Sequence, residues 1–165
     1  MPGNLLKGEF TLGGDGALNL LQITDTHLMA ETGGRLLNVD ADASLDAVLA
    51  VARGRQPAAN AILVTGDISG DASANAYDRL ANKLAGFPAP SFWLPGNHDG
   101  CGEANIAPAF FTRFLLSPHW LIAMLNSQVD SQVGGYLAPV ELDALARAVD
   151  IANGTGRHLL VALHH

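Results

Sequence analysis

Apolar residues crowd into short runs along this chain, and polar residues gather where the runs stop. Leu18 to Thr24 (LNLLQIT) is apolar through most of its length, and Ala61 to Thr65 (AILVT) almost entirely so. Runs of that size suit strands covered on both faces. Ser91 to Leu94 (SFWL), His119 to Leu125 (HWLIAML) and Arg157 to Leu163 also read as strands, with Trp93 and Trp120 as core residues. Between the runs the period changes to that of a helix. In residues 40–53, Leu45, Val48, Leu49 and Ala52 fall on one stripe. Asp40 and Asp42 favour the start of that helix, and Gly54 and Pro57 follow its end. Residues 73–85 place Tyr77, Leu80, Ala81 and Leu84 on one face, with Gly86 just beyond. Residues 139–152 begin with Pro139, carry a Leu142/Leu145/Val149 stripe and reach a stop at Asn153-Gly154. Ala107 to Leu116 is expected to be a further helix. Residues 1–16 are Gly-rich and read as an extended lead-in to one domain over 17–165.

Strands alternating with helices predict an α/β fold around a largely parallel sheet. The chain has 165 residues, 48% hydrophobic and 15% charged, enough for one globular domain with a sizeable core. Only 6% are aromatic, so that core leans on Leu, Val, Ile and Ala. The formal charge is -7, from nine basic and sixteen acidic residues. A protein that grips duplex nucleic acid gains affinity by neutralising phosphates with Lys and Arg, so that partner is not expected. Bound metal ions would still attract a phosphate, because the ion is the largest charge in its site. Cys101 is the only cysteine, which precludes an intrachain disulfide and suits a reducing cytoplasm. The opening residues hold no apolar run of the kind a secretory signal needs, and no run is long enough to span a membrane.

The position of the polar residues points to chemistry. Asp25-Thr26-His27 follows LNLLQIT, Gly66-Asp67 follows AILVT, Gly96-Asn97-His98-Asp99 follows SFWL, and His164-His165 follows the last strand. Ligands in α/β folds bind at the carboxyl ends of strands, so four segments are expected to converge at one edge of one sheet. Asp and His suit divalent transition metals, and an Asn carbonyl adds a neutral oxygen. A carboxylate bridging two ions lets them clamp a phosphate. Gly66 and Gly96 are expected to permit tight turns that aim the next side chain into the site. Each piece alone is common in surface turns; the ordered set of four is what carries the reading. Arg35 and Cys101 read as an ordinary loop arginine and a bystander thiol.

In that order, D-x-H, G-D, G-N-H-D and a strand-ending His resemble the calcineurin-like metallophosphoesterases. LLQITDTHLMA, LVTGDIS and WLPGNHDG are most similar to the bacterial class III cyclic-nucleotide phosphodiesterases, as are AYDRLANKLAGFPAPSFWLPGNHD and the LNSQV stretch at Leu125 to Val129. The resemblance implies the N-terminal part of a four-layer α/β/β/α sandwich. It implies two transition metal ions, manganese, iron or zinc, with Asp25 and His27 on the first, Asp67 bridging, and Asn97 and His164 on the second. His164 is preferred to His165. His98 corresponds to a residue that meets the phosphate and assists the leaving oxygen, and Asp99 to one that orients His98. The implied substrate is a small phosphodiester, a cyclic nucleotide such as cyclic AMP. The family pattern continues into a Gly-His-x-His motif, which this chain lacks; each metal is thereby expected to want one ligand, and an uncovered sheet to favour a homo-oligomer. Other phosphodiesterases or phosphomonoesterases, and an inactive metal-binding fragment, stay open as alternatives.

Overall fold

The computed structural model describes residues 7–14, 16–54, 58–99 and 111–165. Their order is β1 (Lys7–Thr11), β2 (Leu20–Ile23), β3 (Arg35–Leu36), β4 (Val39–Asp40), α1 (Ala41–Arg53), β5 (Ala61–Thr65), α2 (Ala74–Leu84), β6 (Ser91–Leu94), β7 (Thr112–Leu116), β8 (Trp120–Met124), α3 (Pro139–Thr155) and β9 (His158–Ala162). The strands form two main sheets, as the four-layer sandwich implies, and not the single largely parallel sheet that strand–helix alternation alone suggests. One is wholly parallel, ordered β2-β5-β6; the other is mixed, ordered β1-β7-β8-β9, with only the β7–β8 pair antiparallel.

Alternation along β7 and β8 gives the layering. Leu115, Ile122 and Met124 join the core that β5, β6 and the inner faces of α1 and α2 build. Their neighbours Phe114, Leu121 and Ala123 pack instead with Ala148 and Ala152 of α3. Successive strand side chains point to opposite faces, so the mixed sheet lies between the parallel sheet and α3. With α1 and α2 outside the parallel sheet, the layers run α/β/β/α. Central strand β5 is buried at every position, which explains its uninterrupted apolar sequence.

The helices start where their caps dictate. Asp40 accepts from Ala43 N at 2.9 Å at the head of α1, and Pro139 opens α3. Helix α3 runs past Asn153-Gly154 and stops at Gly156, whose φ of 67° is left-handed. Its expected Leu142/Leu145/Val149 stripe is not the packed face: Leu142 and Val149 are exposed, and Glu141, Ala148 and Ala152 face inward. Small alanines let the helix sit close to the sheet, and the buried Arg113 guanidinium draws Glu141 in through two hydrogen bonds.

Two further expectations change. Thr112–Leu116 is a strand, not the end of a helix, and residues 107–110 lie outside the described residues. A short apolar run is ambiguous by period alone, and here pairing on both sides decided it. The lead-in contributes β1, which pairs in parallel with β7, Glu9 opposite Phe114. Trp93 is fully buried; Trp120 is half-buried and packs its ring against His158 at 5.0 Å. Among the described residues no helix is long and apolar enough to cross a membrane.

Candidate metal centre

The loops after β2 and β5 continue side by side beyond their strands. Asp25 N donates to Gly66 O at 3.1 Å, His27 N to Asp67 O at 3.0 Å and Leu28 N to Ile68 O at 3.0 Å. Thr26 Oγ1 adds a bond to Ile68 O at 2.8 Å. This pairing holds three candidate ligands in the left-handed region: Asp25 at φ 54°, His27 at 42° and Asp67 at 49°. Such a conformation costs an L-residue about 1–2 kcal/mol. Three strained residues within two facing turns are a mark of a site that the surrounding structure over-determines.

Asp67 stands at the middle. With His27 and His98 it forms one group of donor atoms lying within 4.8 Å of one another, and with Asp25 and His164 a second such group. His27 Nε2 is 3.6 Å from Asp67 Oδ2 and 3.8 Å from Asp25 Oδ1, and His164 Nε2 is 3.5 Å from Asp67 Oδ1. These separations are longer than hydrogen bonds and leave the nitrogens aimed at the carboxylates across a gap. His27 Nδ1 is buried with no hydrogen-bond partner. The imidazole nitrogen that faces the two carboxylates is Nε2, and that is the atom the His27 ring offers to a cation. One carboxylate with a histidine facing each of its two oxygens fits a pair of ions.

The expectation of one sheet edge needs correction. Asp25, His27, Asp67, Asn97 and His98 do follow strands of the parallel sheet, but His164 and His165 follow β9 of the mixed sheet. The cluster therefore spans the mouth of the sandwich. His164 crosses by setting its Nδ1 2.8 Å from Thr65 O. A proton on Nδ1 donated to that carbonyl leaves Nε2 free as a ligand. His165, set aside in the sequence reading, is engaged as well: Nε2 lies 3.2 Å from Asn97 Oδ1, and Nδ1 3.0 Å from Ser127 Oγ.

The two glycines serve different needs. Gly66 has φ +98°, as a tight turn requires, and a Cβ there would fall 2.4 Å from His164 Nδ1. Gly96 is needed for space: its Cβ would meet Asp67 Oδ1 at 2.2 Å and Asp67 N at 2.3 Å.

Among the described residues the Asp99 carboxylate meets four donors, and the His98 ring is not one of them. One carboxylate oxygen accepts from Ile68 N at 3.1 Å and Gly96 N at 2.9 Å; the other accepts from Ser69 N at 2.9 Å and Tyr77 Oη at 3.0 Å. Two acceptors on each oxygen use the usual capacity of a carboxylate. Burial raises the Asp99 pKa above the ordinary carboxylate value, outweighing the pull of the Gly96, Ser69 and Ile68 N–H groups and the Tyr77 hydroxyl. Asp99 thus clips the loop after β6 to the loop after β5. His98 is placed otherwise, by its backbone N–H on Asp67 Oδ1 at 2.9 Å and by edge-to-face contact with the His27 ring, centroids 4.9 Å apart. No sequence signal marked Tyr77, Ser127 or His165 for these roles, because each acts through a partner distant in the chain. Arg35 donates to Asn38 O within its own hairpin, and Cys101 lies outside the described residues.

The sequence profile for calcineurin-like phosphoesterases matches residues 18–154. The chain is 39% identical over 161 residues to the 3',5'-cyclic adenosine monophosphate phosphodiesterase CpdA of Escherichia coli (strain K12), covering 93% of this chain and 57% of that protein. It is 37% identical over 154 residues to the CpdA of Pseudomonas aeruginosa, covering 92% and 56%. It is 32% identical over 153 residues to the 3',5'-cyclic-nucleotide phosphodiesterase alr5338 of Nostoc sp., covering 90% and 56%. The chain therefore spans a little more than half the length of these relatives.

Proposed function

The chain belongs to the calcineurin-like phosphoesterase family, and from that premise we propose that it supplies the greater part of a two-metal centre for hydrolysis of a phosphodiester, with 3',5'-cyclic nucleotides as the substrate class. The observation that carries this reading is the buried Asp67 carboxylate faced on one oxygen by His27 Nε2 at 3.6 Å and on the other by His164 Nε2 at 3.5 Å. The family implies divalent metal ions; manganese, iron and zinc all accept these ligands. The ligands proposed are Asp25, His27, Asp67, Asn97 and His164. Such ions supply Lewis acidity toward the phosphate oxygens and an activated water near neutral pH.

The chain's own residues define the remaining work. Asp67, buried and fixed by the turn at Gly66, holds both halves of the donor set together. His98 is exposed, unlike His27, so its ring is open to a substrate; its role is to donate a proton to the leaving oxygen. Asp99 and Tyr77 hold the loops without touching substrate. The names of the relatives support cyclic AMP as the substrate. Residues 17–165 are proposed to act as one catalytic unit in the cytoplasm.

Hydrolysis of an aryl phosphodiester by this chain with added Mn²⁺ tests the reading, followed by cyclic AMP against an aryl phosphomonoester. Asp67→Ala should abolish turnover and weaken Mn²⁺ binding about 100-fold or more, a ligand loss being at least as costly as loss of a supporting residue. Unchanged Mn²⁺ affinity in Asp67→Ala would remove the basis for the site. Preference for the monoester would keep the metal reading and discard the substrate.

A further inference from the structure

Beside the donor cluster lies a recess of about 440 Å³. Asp25 and His27 line it, and so do apolar side chains from Leu37 and Val39 of the β3–β4 hairpin and from Leu45 and Val48 of α1. A volume of that order is what a small-molecule pocket uses.

The hairpin is unusual for its tip residue. Leu37 and Asn38 join β3 to β4 with φ 47° and 67°, both left-handed, in the manner of a two-residue turn of type I′. Asn suits that conformation; a Leu does not, and Asn, Asp or Gly at position 37 would form the turn more easily. Leu37 is also 90% exposed, and Val39 and Val48 are 56% and 52% exposed. The fold therefore keeps a strained apolar residue in water at the rim of a recess whose floor carries two candidate ligands. Neither the turn nor the core accounts for that choice.

The wall is also held rigid. Gly33 N donates to Asp42 Oδ2 at 3.0 Å, Ala41 N to Gly34 O at 3.1 Å, and Arg35 to Asn38 O across the turn. Arg79 in turn grips Asp42 through Nε at 3.0 Å. A surface organised in advance loses little freedom on binding. Polar groups border it too. Strand β2 is an edge of its sheet, so its free side offers backbone donors and acceptors, and Gln22 and Thr24 line the same recess.

We infer that the recess between the β3–β4 hairpin, α1 and the Asp25/His27 turn receives the nucleobase of a nucleotide whose phosphate lies at the donor cluster, with Leu37 as a specificity residue. An uncharged planar heterocycle matches apolar walls with a polar border; a phosphate or a bare sugar does not. The inference rests on the metal-site reading above.

The test is equilibrium binding to the 165-residue chain loaded with Zn²⁺, which is diamagnetic, followed by Leu and Val methyl NMR. The ligands are AMP, ribose 5-phosphate and inorganic phosphate. AMP should bind about tenfold more tightly than ribose 5-phosphate, as expected for burial of an apolar ring, and should shift the Leu37 and Val48 methyls. Leu37→Asn favours the turn, so it should fold at least as stably while binding AMP about fivefold more weakly and phosphate unchanged. Equal affinity for AMP and ribose 5-phosphate, or full AMP affinity in Leu37→Asn, overturns the inference and leaves the metal site standing. A wild-type dimer that Leu37→Asn converts to monomer, without loss of AMP affinity, assigns the patch to self-association and overturns it too. If phosphate binding is absent, or survives in Asp67→Ala, the metal-site reading fails and takes this inference with it.

Discussion

The two sheets contribute to the donor cluster in different ways. The parallel sheet gives Asp25, His27, Asp67, Asn97 and His98 from loops tied to one another by backbone hydrogen bonds and by the four donors on Asp99. Its central strand is buried throughout. The mixed sheet gives His164 and His165 from β9, an edge strand that is only half-buried. Those histidines reach across by side-chain bonds to Thr65 O and Asn97 Oδ1, and His165 is braced on its own side by Ser127 Oγ. One half is fixed by the main chain, the other by side chains at the ends of a less protected strand. The first half should therefore fail only with the fold, and the second should fail alone.

The largest effect expected is at Asp99. Asp99→Ala strips three N–H groups and a Tyr hydroxyl of their acceptor in a buried setting, which should cost about 3–5 kcal/mol of stability, measured by urea unfolding, since one orphaned buried group costs about 1–3 kcal/mol. A loss under about 1 kcal/mol, at the scale of a surface change, would mean the clip does not hold the loops. Next is His165→Ala, which should weaken Mn²⁺ binding roughly tenfold, the usual scale for a residue that orients a ligand, with little change in the urea midpoint. His165→Gln, keeping a donor near Asn97, should restore most of that affinity. Equal damage to stability and to metal affinity would erase the distinction between the halves.

The smallest effect comes from a control outside both. Burial by itself raises the Asp42 pKa, but the Gly33 N–H together with Arg79 and Lys83 outweighs it and holds the carboxyl below its ordinary value. A depressed folded-state pKa stabilises above the unfolded pKa of about 4 and loses that contribution as pH falls through the folded value. Asp42→Asn should thus cost about 1 kcal/mol at neutral pH, flatten the acid limb of the stability curve, and leave metal affinity unchanged. A change in metal affinity would show that the α1–α2 clamp reaches the site.

Much of this was readable beforehand where one segment carries its own signal. The run AILVT reads as a covered strand, and Asp40 and Asp42 mark where the first long helix begins. D-x-H, G-D and G-N-H-D marked the loops because each joins ligand-type residues to a strand end. Elsewhere local pattern and tertiary structure part for identifiable reasons. Thr112–Leu116 was ambiguous until β1 and β8 flanked it. The apolar stripe on α3 gave way to alanines because Arg113 recruited Glu141.

By itself, then, the sequence determined the strand and helix segments, their α/β class, and which residue types stand at the strand ends, since these depend on local period and spacing. Only the tertiary structure decided which strands belong to which sheet and that the donor cluster bridges the two. It also decided that the Asp99 carboxylate meets Ile68, Ser69, Gly96 and Tyr77, and that His165 engages Asn97. Those facts depend on groups up to 99 residues apart meeting in space, and on competition for hydrogen-bond capacity that no local pattern records.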